Sequence, residues 1–159
     1  MSSVICREAT LSDIDEMARI RAEGGWTGGA PAERMARYLA GEHHPQHALA
    51  PRVLYIAEEG ASMVGFIAGH RTRRYGCDGE LQWIFVAPEQ RGGGIASLLL
   101  RRLAIWFLDQ GARRICVDVD PENLPGRRFY RRHGAQDLNE HWLVWPDIQA
   151  ALEPAREGG

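Results

Sequence analysis

The sequence predicts an α/β fold in which helices pack on a mixed β-sheet. The prediction rests on the apolar patterns, which follow the order β-α-α-β-β-β-α-β-α-β along the 159 residues. It also rests on the stretch from Trp83 to Leu100, where a short strand ends in a glycine turn that opens a long helix. A chain of this length builds one core, so residues 1–159 are predicted to form a single domain.

The first part of the chain predicts a strand, two helices and a loop. The apolar run at Val4–Cys6 is a short strand, and Thr10 with Asp13 three residues later is a capping pattern for the first helix. The second helix is expected to begin at Pro31. Between the two helices, four glycines surround Trp26, which predicts a loop that carries one large apolar side chain.

The remaining elements follow from turn residues and apolar runs. Two apolar runs on either side of a turn at Glu58–Ser62 predict a hairpin, and Glu80–Val86 is the next strand. The long helix is expected to stop at Gly111, because glycine favours the backbone conformation that ends a helix. A strand, a helix and a last strand at Trp142–Trp145 follow. Residues 147–159 are predicted to be a weakly ordered tail.

Composition excludes several classes of protein. Hydrophobic residues make up 45% and charged residues 25% of the chain, which is typical of a globular protein. The net charge of −2 gives no basic excess for nucleic acid or an anionic membrane. We see no run of about 20 apolar residues that would span a bilayer. The three cysteines are widely spaced, which argues against a disulfide framework and favours the cytoplasm.

A histidine cluster raises the question of a metal site. His43, His44 and His47 are close in sequence, but Pro45 would break a helix that aligned their rings. No cysteine or carboxylate lies at a fixed ligand spacing from them. We therefore predict a polar loop here and no metal.

The glycine turn predicts a site for a phosphate group. A helix that starts directly from a turn has free backbone N–H groups and the positive end of its dipole at one place. Glycines at Gly92, Gly93 and Gly94 let a ligand approach those groups closely. The turn lacks the Gly-Lys-Ser/Thr of a Walker loop, and its spacing does not give the GxGxxG of a dinucleotide-binding fold.

Two motifs resemble those of the GNAT N-acetyltransferases. The turn reads Arg91-Gly-Gly-Gly-Ile-Ala96, which is similar to the family's acetyl-CoA motif, Arg-x-x-Gly-x-Gly/Ala. Further on, Asn123, the small Gly126, Phe129-Tyr130 and Gly134 match a second family signature. Ala135 stands where that signature usually has an aromatic residue. The two motifs occur in the family's order, and the resemblance covers nearly the whole chain.

The resemblance implies a fold and a set of acetyl-CoA contacts. The GNAT fold is a mixed, mostly antiparallel sheet of six to seven strands, splayed at the acetyl-CoA site and flanked by about four helices. The strand before the turn would pair with the pantetheine arm, with the Val86 N–H near the thioester oxygen, and Asn123 would hold the pantetheine amide. The residues implied to bind acetyl-CoA are Ile84, Phe85, Val86, Arg91, Gly92, Gly93, Gly94, Ile95, Ala96, Asn123, Phe129 and Tyr130.

The resemblance also implies a mechanism of acetyl transfer to an amine. In the family, the residue at Tyr130 is the usual general acid, which protonates the departing thiolate of CoA. A lysine-like ammonium has a pKa near 10.4, so only about one part in a thousand is neutral at pH 7 and a base is needed. Glu80 matches a glutamate that many members have, and we predict it as this base. By simple alternation, Gln82 and Ile84 would share its face.

Alternatives remain open for the base and for the acceptor. His70 and His133 are alternative bases, although His133, one turn beyond Tyr130, is expected at the surface. The acceptor is predicted to be the primary amine of a small molecule or peptide. The side chains expected to line its pocket are Trp26, Tyr38, Tyr75 and Trp83.

Two other functions are compatible with the sequence. The first is a catalytically silent acetyl-CoA- or CoA-binding regulatory domain with the same fold, and the second is an interaction module that uses the Trp26 loop and the Trp142/Trp145 strand. No cysteine lies in either motif, which argues against an acetyl-cysteine intermediate. Neither nucleic acid nor a membrane is predicted as a partner. Many family members form dimers, so a homodimer is left open.

Overall fold

The computed structural model describes residues 3–23, 31–42 and 48–155. Within these residues the strands are β1 (Val4–Glu8), β2 (Ala48–Glu59), β3 (Ser62–Thr72), β4 (Gly79–Val86), β5 (Ile115–Asp118), β6 (Gln136–Asp137) and β7 (Trp142–Trp145). The α-helices are α1 (Ile14–Glu23), α2 (Pro31–Leu39), α3 (Ile95–Asp109) and α4 (Leu124–Arg132). The predicted α/β class is confirmed, and the two-residue β6 is an element that the apolar pattern does not reveal.

The seven strands form one sheet in the order β1-β2-β3-β4-β5-β7-β6. Neighbouring strands are antiparallel, except that β4 and β5 run parallel and are connected through α3. A parallel pair needs a long crossover, which the 15 residues of α3 provide. This connection brings the glycine turn at the start of α3 to the end of β4.

The parallel strands β4 and β5 separate after three residues. Gly79, Glu80 and Leu81 are opposite Ile115, Cys116 and Val117, and no pairing continues beyond Leu81. The predicted splay is therefore confirmed, and we call the point after Leu81 the fork. The second half of β4, from Gln82 to Val86, pairs only with β3 on its other side.

Two apolar clusters cover the two faces of the sheet. On one face, Leu99, Leu103 and Phe107 of α3 pack among residues such as Leu81. A side chain on Gly79 would meet the Phe107 ring at 2.4 Å, so the absence of a Cβ at this position lets α3 lie close to the sheet. On the other face, buried residues of α1 and α2 pack against Phe66 and others, with the half-buried Trp83 and Phe85 at the margin.

The predicted caps of the helices agree with the observed ends. The backbone N–H of Thr10 donates to the Asp13 carboxylate at 2.7 Å, as expected of a capping pattern. The first helix is preceded by a 3-10 turn at Leu11–Asp13. At the end of α3, Gly111 has φ +74°, which is the left-handed conformation that favours glycine.

The C-terminal segment differs from the sequence prediction. Residues 147–159 are predicted to be weakly ordered, but Ile148–Leu152 forms a 3-10 helix in which Ile148 and Ala151 are buried. Asp147 caps this turn by accepting from the Gln149 N–H at 3.0 Å, and both buried side chains join the cluster around α3. The sequence also suggests a weak helix after Pro146, and the short 3-10 helix lies in that stretch.

Some predictions fall on parts of the chain that the structure does not describe. Trp26 and the histidines at 43, 44 and 47 lie outside the described residues. In the part that is described, no helix has the length and apolar character needed to cross a bilayer. Over the same part, we find no group of three or more His, Cys, Asp or Glu side chains arranged to hold a metal ion.

Candidate active site

A cavity of about 590 Å³ lies between the free half of β4, the glycine turn and the start of α4. The residues that the resemblance assigns to acetyl-CoA line this cavity, apart from Gly93. The cavity is lined by Ile84, Phe85, Val86, Gln90, Arg91, Gly92, Gly94, Ile95, Ala96, Ser97, Asn123, Pro125, Gly126, Phe129, Tyr130 and Arg132. The fold thus brings both sequence motifs to one place, beside the fork.

The glycine turn opens α3 without placing side chains in the cavity. Gly92 and Gly94 have φ +86° and +84°, a region that other residues rarely adopt. Gly94 is the N-cap of α3, so the first N–H groups of the helix are left for a ligand. Arg91 is held beside the turn by its Nε, which donates to the Val86 carbonyl oxygen at 3.2 Å. The free N–H groups at the start of α3 and the positive charge of Arg91 suit a negatively charged ligand group.

The free edge of β4 offers backbone groups to the cavity. The Ala87 N–H donates to the Val64 oxygen of β3 at 2.9 Å. In an antiparallel ladder, successive residues point their N–H groups to opposite edges, so the Val86 N–H faces away from β3. The contact between Arg91 and the Val86 oxygen lies on that same outer edge. The fork therefore leaves an N–H donor of Val86 facing the space between β4 and β5.

Asn123 has a fixed orientation at the start of α4. Its side-chain oxygen accepts from the Gly126 N–H at 3.1 Å as an N-cap. A Cβ on Gly126 would lie 2.5 Å from the Asn123 amide nitrogen, which explains the small residue in the second motif. With the oxygen bound in the cap, the amide nitrogen can donate to a ligand in the cavity.

Tyr130 is almost buried where α4 meets the cavity. Its side chain is only 6% exposed, and its ring packs edge-on against Phe129 and Trp145. Burial raises the pKa of the Tyr130 phenol above its ordinary value of 10. The hydroxyl therefore keeps its proton throughout the neutral range and can act as a donor.

Ser97, which lines the cavity, is paired with a buried histidine, and the sequence does not predict this pair. His133 is expected at the surface but is 5% exposed, because the turn after α4 folds its ring onto Phe129. Its Nε2 lies 3.0 Å from Ser97 Oγ, and burial lowers the pKa of the imidazole, which keeps it neutral. The described part of the chain offers its buried Nδ1 no partner.

The unpartnered nitrogen decides which atom of the pair donates. A buried N–H without an acceptor is rare, so we place the proton of His133 on Nε2, from which it donates to Ser97 Oγ. The Ser97 hydroxyl hydrogen is then available to a ligand in the cavity that Ser97 lines. His133 thus positions Ser97 as a donor at the start of α3.

Removal of the Ser97 hydroxyl should weaken the binding of acetyl-CoA. We expect Ser97→Ala to raise the Kd of acetyl-CoA about tenfold, because the lost hydrogen bond is one to a charged oxygen. Calorimetry on the purified variant measures this directly, and Ser97→Thr, which keeps a hydroxyl, serves as the control. An unchanged Kd for Ser97→Ala would show that the hydroxyl does not reach the ligand.

Glu80 lies at the fork in a row of paired residues that crosses four strands. Arg52 of β2 is opposite His70 of β3, His70 is opposite Glu80 of β4, and Glu80 is opposite Cys116 of β5. Glu80 is 6% exposed, and its Oε1 lies 3.3 Å from the Arg74 Nε. We call Arg52, His70, Glu80 and Cys116 the cross-strand row.

The environment of Glu80 raises the pKa of its carboxyl to near neutral pH. Burial raises the pKa of Glu80 to about 7; the Arg74 guanidinium acts in the opposite direction, and the charge of Asp118 adds a smaller increase. A base is most effective when its pKa is close to the working pH. Glu80 is therefore suited to proton transfer near neutrality.

His70, the alternative base, is buried beside Glu80, with its Nε2 4.0 Å from the Glu80 Oε1. It is fully buried, and burial lowers the pKa of its ring, so the ring is neutral near pH 7. Its Nδ1–H donates to the Arg71 carbonyl oxygen at 2.8 Å, which leaves Nε2 without a proton. The Gln82 Oε1 lies 3.0 Å from Nε2, so a ring with its proton on Nδ1 requires the Gln82 amide to be flipped, with its nitrogen donating to Nε2.

A β-bulge at Gln82 corrects the predicted face of Ile84. Ala68 is opposite Trp83 and Gly69 is opposite Leu81, so Gln82 is an extra residue in β4. Simple alternation predicts that Glu80 shares its face with Gln82 and Ile84. Gln82 does reach the face of Glu80, where it contacts His70. After the bulge the alternation is reversed, so Trp83 and Phe85 lie on this face and Ile84 packs on the α3 side.

The predicted acceptor residues are only partly brought together. Tyr38 and Trp83 contact each other at 4.9 Å between ring centroids, and Tyr38 also lies 6.0 Å from the His70 ring. Tyr75 lies in the turn between β3 and β4 and is about half exposed. Its ring contacts Trp142 of β7. Tyr38 and Trp83 thus lie on the face of the cross-strand row.

Comparison with known proteins agrees with the fold. The model of the Acetyltransferase (GNAT) family matches residues 17–135. The chain belongs to this family. A GNAT-family protein of Desulfovibrio desulfuricans has a similar fold, with a TM-score of 0.73 over 92% of this chain and 99% of that one at 20% identity. The PaiA N-acetyltransferase of Thermoplasma acidophilum, solved with coenzyme A, has a TM-score of 0.63 at 16% identity over 89% and 97% of the two chains.

Among curated relatives, the matches differ in extent. The thialysine N-epsilon-acetyltransferase of Sus scrofa is 30% identical over 88% of both chains. The bovine enzyme of the same name is 38% identical, but the match covers 38% of this chain and 35% of that protein. An aminoglycoside N(6')-acetyltransferase of Salmonella typhimurium is 28% identical over 52% of this chain and 61% of its own length. In two of these three, the chain therefore spans less than two thirds of the relative.

Proposed function

We propose that the protein transfers an acetyl group from acetyl-CoA to a primary amine by direct attack within a ternary complex. The observation that carries the proposal is the fork itself. A cavity for acetyl-CoA lies between the free edge of β4 and the glycine turn, and a buried carboxyl with a pKa of about 7 lies where the strands separate. Membership of the GNAT acetyltransferase family supports it.

The lining of the cavity fits the pyrophosphate and the pantetheine arm of acetyl-CoA. The backbone N–H groups at the start of α3, with Arg91 and Ser97, would hold the pyrophosphate. The outer edge of β4 and the Asn123 amide would hold the pantetheine arm, whose own amides need backbone-like partners. The apolar walls at Ile84 and Phe129 suit the methylene groups of that arm.

Two donors of the cavity would serve the chemical step. The Val86 N–H, which faces away from β3, would donate to the thioester oxygen as it gains negative charge. Tyr130, whose phenol stays protonated, would give a proton or a hydrogen bond to the departing sulfur. On the other side of the fork, Glu80 would take the proton of the attacking ammonium, directly or through water.

The positions of the cysteines favour direct transfer. Cys77 and Cys116 are buried together with Trp142 and Val144, and neither lines the cavity. Cys6 is on β1, the edge strand of the sheet farthest from β5 on that side of the fork, and it packs beside the α3 cluster. An acetyl-cysteine intermediate would need a thiol beside the thioester. We therefore propose a single transfer step.

The proposal is tested by two measurements on one sample. Calorimetry measures acetyl-CoA binding, and a thiol assay then measures CoA release in the presence of a panel of amines. Binding together with amine-dependent release is expected. Binding without release from any amine would favour the regulatory alternative, and no binding at millimolar acetyl-CoA would contradict both functions.

Tyr130→Phe should separate binding from catalysis. The substitution removes only the hydroxyl, so we expect kcat to fall about a hundredfold while the acetyl-CoA Kd changes less than threefold. The measurement is steady-state kinetics with the best amine of the panel. If kcat is unchanged, another group or water protonates the leaving thiolate.

Location and assembly are part of the same proposal. The free thiols of Cys6, Cys77 and Cys116 support the reducing cytoplasm as the working compartment. A homodimer stays a prediction that size-exclusion chromatography with light scattering can test.

A further inference from the structure

The turn between β3 and β4 brings an arginine into contact with both Glu80 and an aromatic ring. The Arg74 Nε donates to the Glu80 Oε1 at 3.3 Å, and the Arg74 Cζ lies 4.7 Å from the centroid of the Trp142 ring. Trp142 belongs to β7, where it is opposite Asp118 of β5. The contacts of Arg74 therefore connect β7 with β4, over the strand that lies between them in the sheet.

The backbone of this turn is held in a conformation that directs Arg74 to this place. Among the described residues, Tyr75 is the one residue other than glycine with a left-handed backbone, at φ +55°. Such conformations are unfavourable and persist where the surrounding structure holds them. Here the Tyr75 ring packs edge-on against Trp142, with 5.4 Å between the centroids, and the Arg74 N–H donates to the Thr72 Oγ1 at 3.2 Å. Trp142 thus contacts two successive side chains of the turn.

The contact between Arg74 and Glu80 is largely shielded from water. The Arg74 side chain is 19% exposed and the Glu80 side chain 8% exposed. Salt and water weaken the attraction between charges at a protein surface, but they weaken a partly buried pair much less. The state of the Glu80 carboxyl should therefore depend on Arg74.

The groups around Glu80 leave its charge to be balanced by Arg74. The titratable or charged side chains of the described residues that face Glu80 are Tyr38 of α2, His70 of β3, Arg74 of the turn, and Cys116 and Asp118 of β5. Burial keeps the His70 ring neutral, and the charge of Asp118 raises the pKa of Glu80. Of these groups, Arg74 alone is positive at pH 7, and it opposes the effect of burial on the Glu80 pKa.

We propose that Arg74, held on the Trp142 ring, is a positioning residue that keeps the Glu80 carboxylate charged and able to accept a proton at the fork. The inference rests on the proposed acetyl transfer, in which Glu80 takes the proton that leaves the attacking ammonium and then passes it to water. Without Arg74, burial would favour the neutral acid, which accepts no proton. The Trp142 ring holds the guanidinium in place while Glu80 is protonated and no longer attracts it.

Arg74→Gln should move the pH profile of acetyl transfer to higher pH. Loss of an adjacent opposite charge raises the pKa of a carboxyl by about one unit or more. We therefore expect the inflection of kcat/KM to move from about 7 to about 8 or above. A shift of one unit lowers kcat/KM about fivefold at pH 7 but less than about twofold at pH 9, where the carboxyl is ionised in both proteins.

Three further variants assign the shift. Arg74→Lys keeps the positive charge, so its inflection should lie closer to that of the wild type than the inflection of Arg74→Gln does. Trp142→Leu keeps an apolar side chain without the ring and should shift the inflection upward by a smaller amount. Arg73→Gln is the control, because Arg73 is an exposed residue of the same turn. Its inflection should match the wild type. Acetyl-CoA binding by calorimetry shows that each variant is folded.

A second measurement of the Glu80 carboxyl does not depend on turnover. In protein labelled with carbon-13, NMR follows the side-chain carboxyl carbons as the pH is changed. The Glu80 signal is assigned by its absence in Glu80→Gln. We expect it to titrate near pH 7 in the wild type, and about one unit or more higher in Arg74→Gln.

The results separate the inference from the function beneath it. If Arg74→Gln is slower by one factor at every pH and its Glu80 signal does not shift, the inference is overturned and the proposed function stays intact. An equal shift in Arg73→Gln would assign the effect to the overall charge of the turn and overturn the role of Arg74. An unshifted profile in Trp142→Leu would overturn the role of the ring. If the wild type binds acetyl-CoA but acetylates no amine, the proposed function is removed, and the positioning role with it.

Discussion

Glu80→Gln should abolish most acetyl transfer while making the folded protein more stable above neutral pH. Glutamine keeps the shape of the side chain but cannot take a proton, so we expect kcat/KM to fall by about a hundredfold or more. The same substitution removes a carboxyl whose charged form is unfavourable in the fold. Loss of activity and gain of stability in one variant would separate the catalytic role of Glu80 from damage to the structure.

The gain in stability follows from the direction of the pKa change. The pKa of Glu80 is raised from 4.5 to about 7 in the folded state, so the fold binds this proton more tightly than the unfolded chain does. This contribution to the free energy of unfolding is complete below pH 4.5 and is lost as the pH rises to about 7. The full difference is about 3 kcal/mol, and the lost partner of Arg74 reduces what the variant gains.

Two measurements check this prediction. The pH profile of kcat/KM should rise through about pH 7 in the wild type, as Glu80 loses its proton, and this inflection should be absent in Glu80→Gln. Thermal unfolding should give a Tm difference in favour of the variant that is larger at pH 8 than at pH 5. An inactive variant that is also less stable at pH 8 would contradict the assignment. Full activity of Glu80→Gln would show that another group acts as the base.

Gly94→Ala should weaken acetyl-CoA binding about tenfold or more. Gly94 has φ +84° at the N-cap of α3, and a side chain there would project beside the N–H groups proposed to hold the pyrophosphate. Nothing lies within 4 Å of the built Cβ, so the protein itself has room for the methyl group. The backbone conformation alone should cost about 1 kcal/mol of folding stability.

Gly111→Ala is the matched control for this effect. Gly111 has φ +74°, also has open space around its Cβ, and lies just beyond the other end of α3. Both variants should lose a similar amount of stability in thermal unfolding, but only Gly94→Ala should raise the acetyl-CoA Kd. If the two variants bind acetyl-CoA equally well, the turn is a structural one and the phosphate lies elsewhere.

The sequence predicts the elements of the acetyl-CoA half well because its signals are local. The glycine turn and the stop at Gly111 each depend on neighbouring residues and their backbone preferences. The two motifs then meet in one cavity because the crossover through α3 leaves only one arrangement of β4 and β5.

The acceptor half depends on contacts that no local pattern encodes. The bulge at Gln82 arises from the pairing of β3 with β4, and it reverses the faces that alternation predicts for Trp83 to Phe85. Arg52 and Glu80 are 28 positions apart in the sequence, and only the register of three strands makes them part of one row. Burial of His133 likewise depends on how the turn after α4 folds back on Phe129.

The cross-strand row has a consequence for how such an enzyme can change its substrate. The groups proposed to hold acetyl-CoA come from the end of β4, the start of α3 and α4, whereas the acceptor face comes from β2, β3 and the first half of β4. Substitutions on β2 and β3 are therefore expected to change the acceptor side without touching the donor half. Such a division lets one scaffold diversify, and relatives of this chain carry names as different as thialysine and aminoglycoside acetyltransferase.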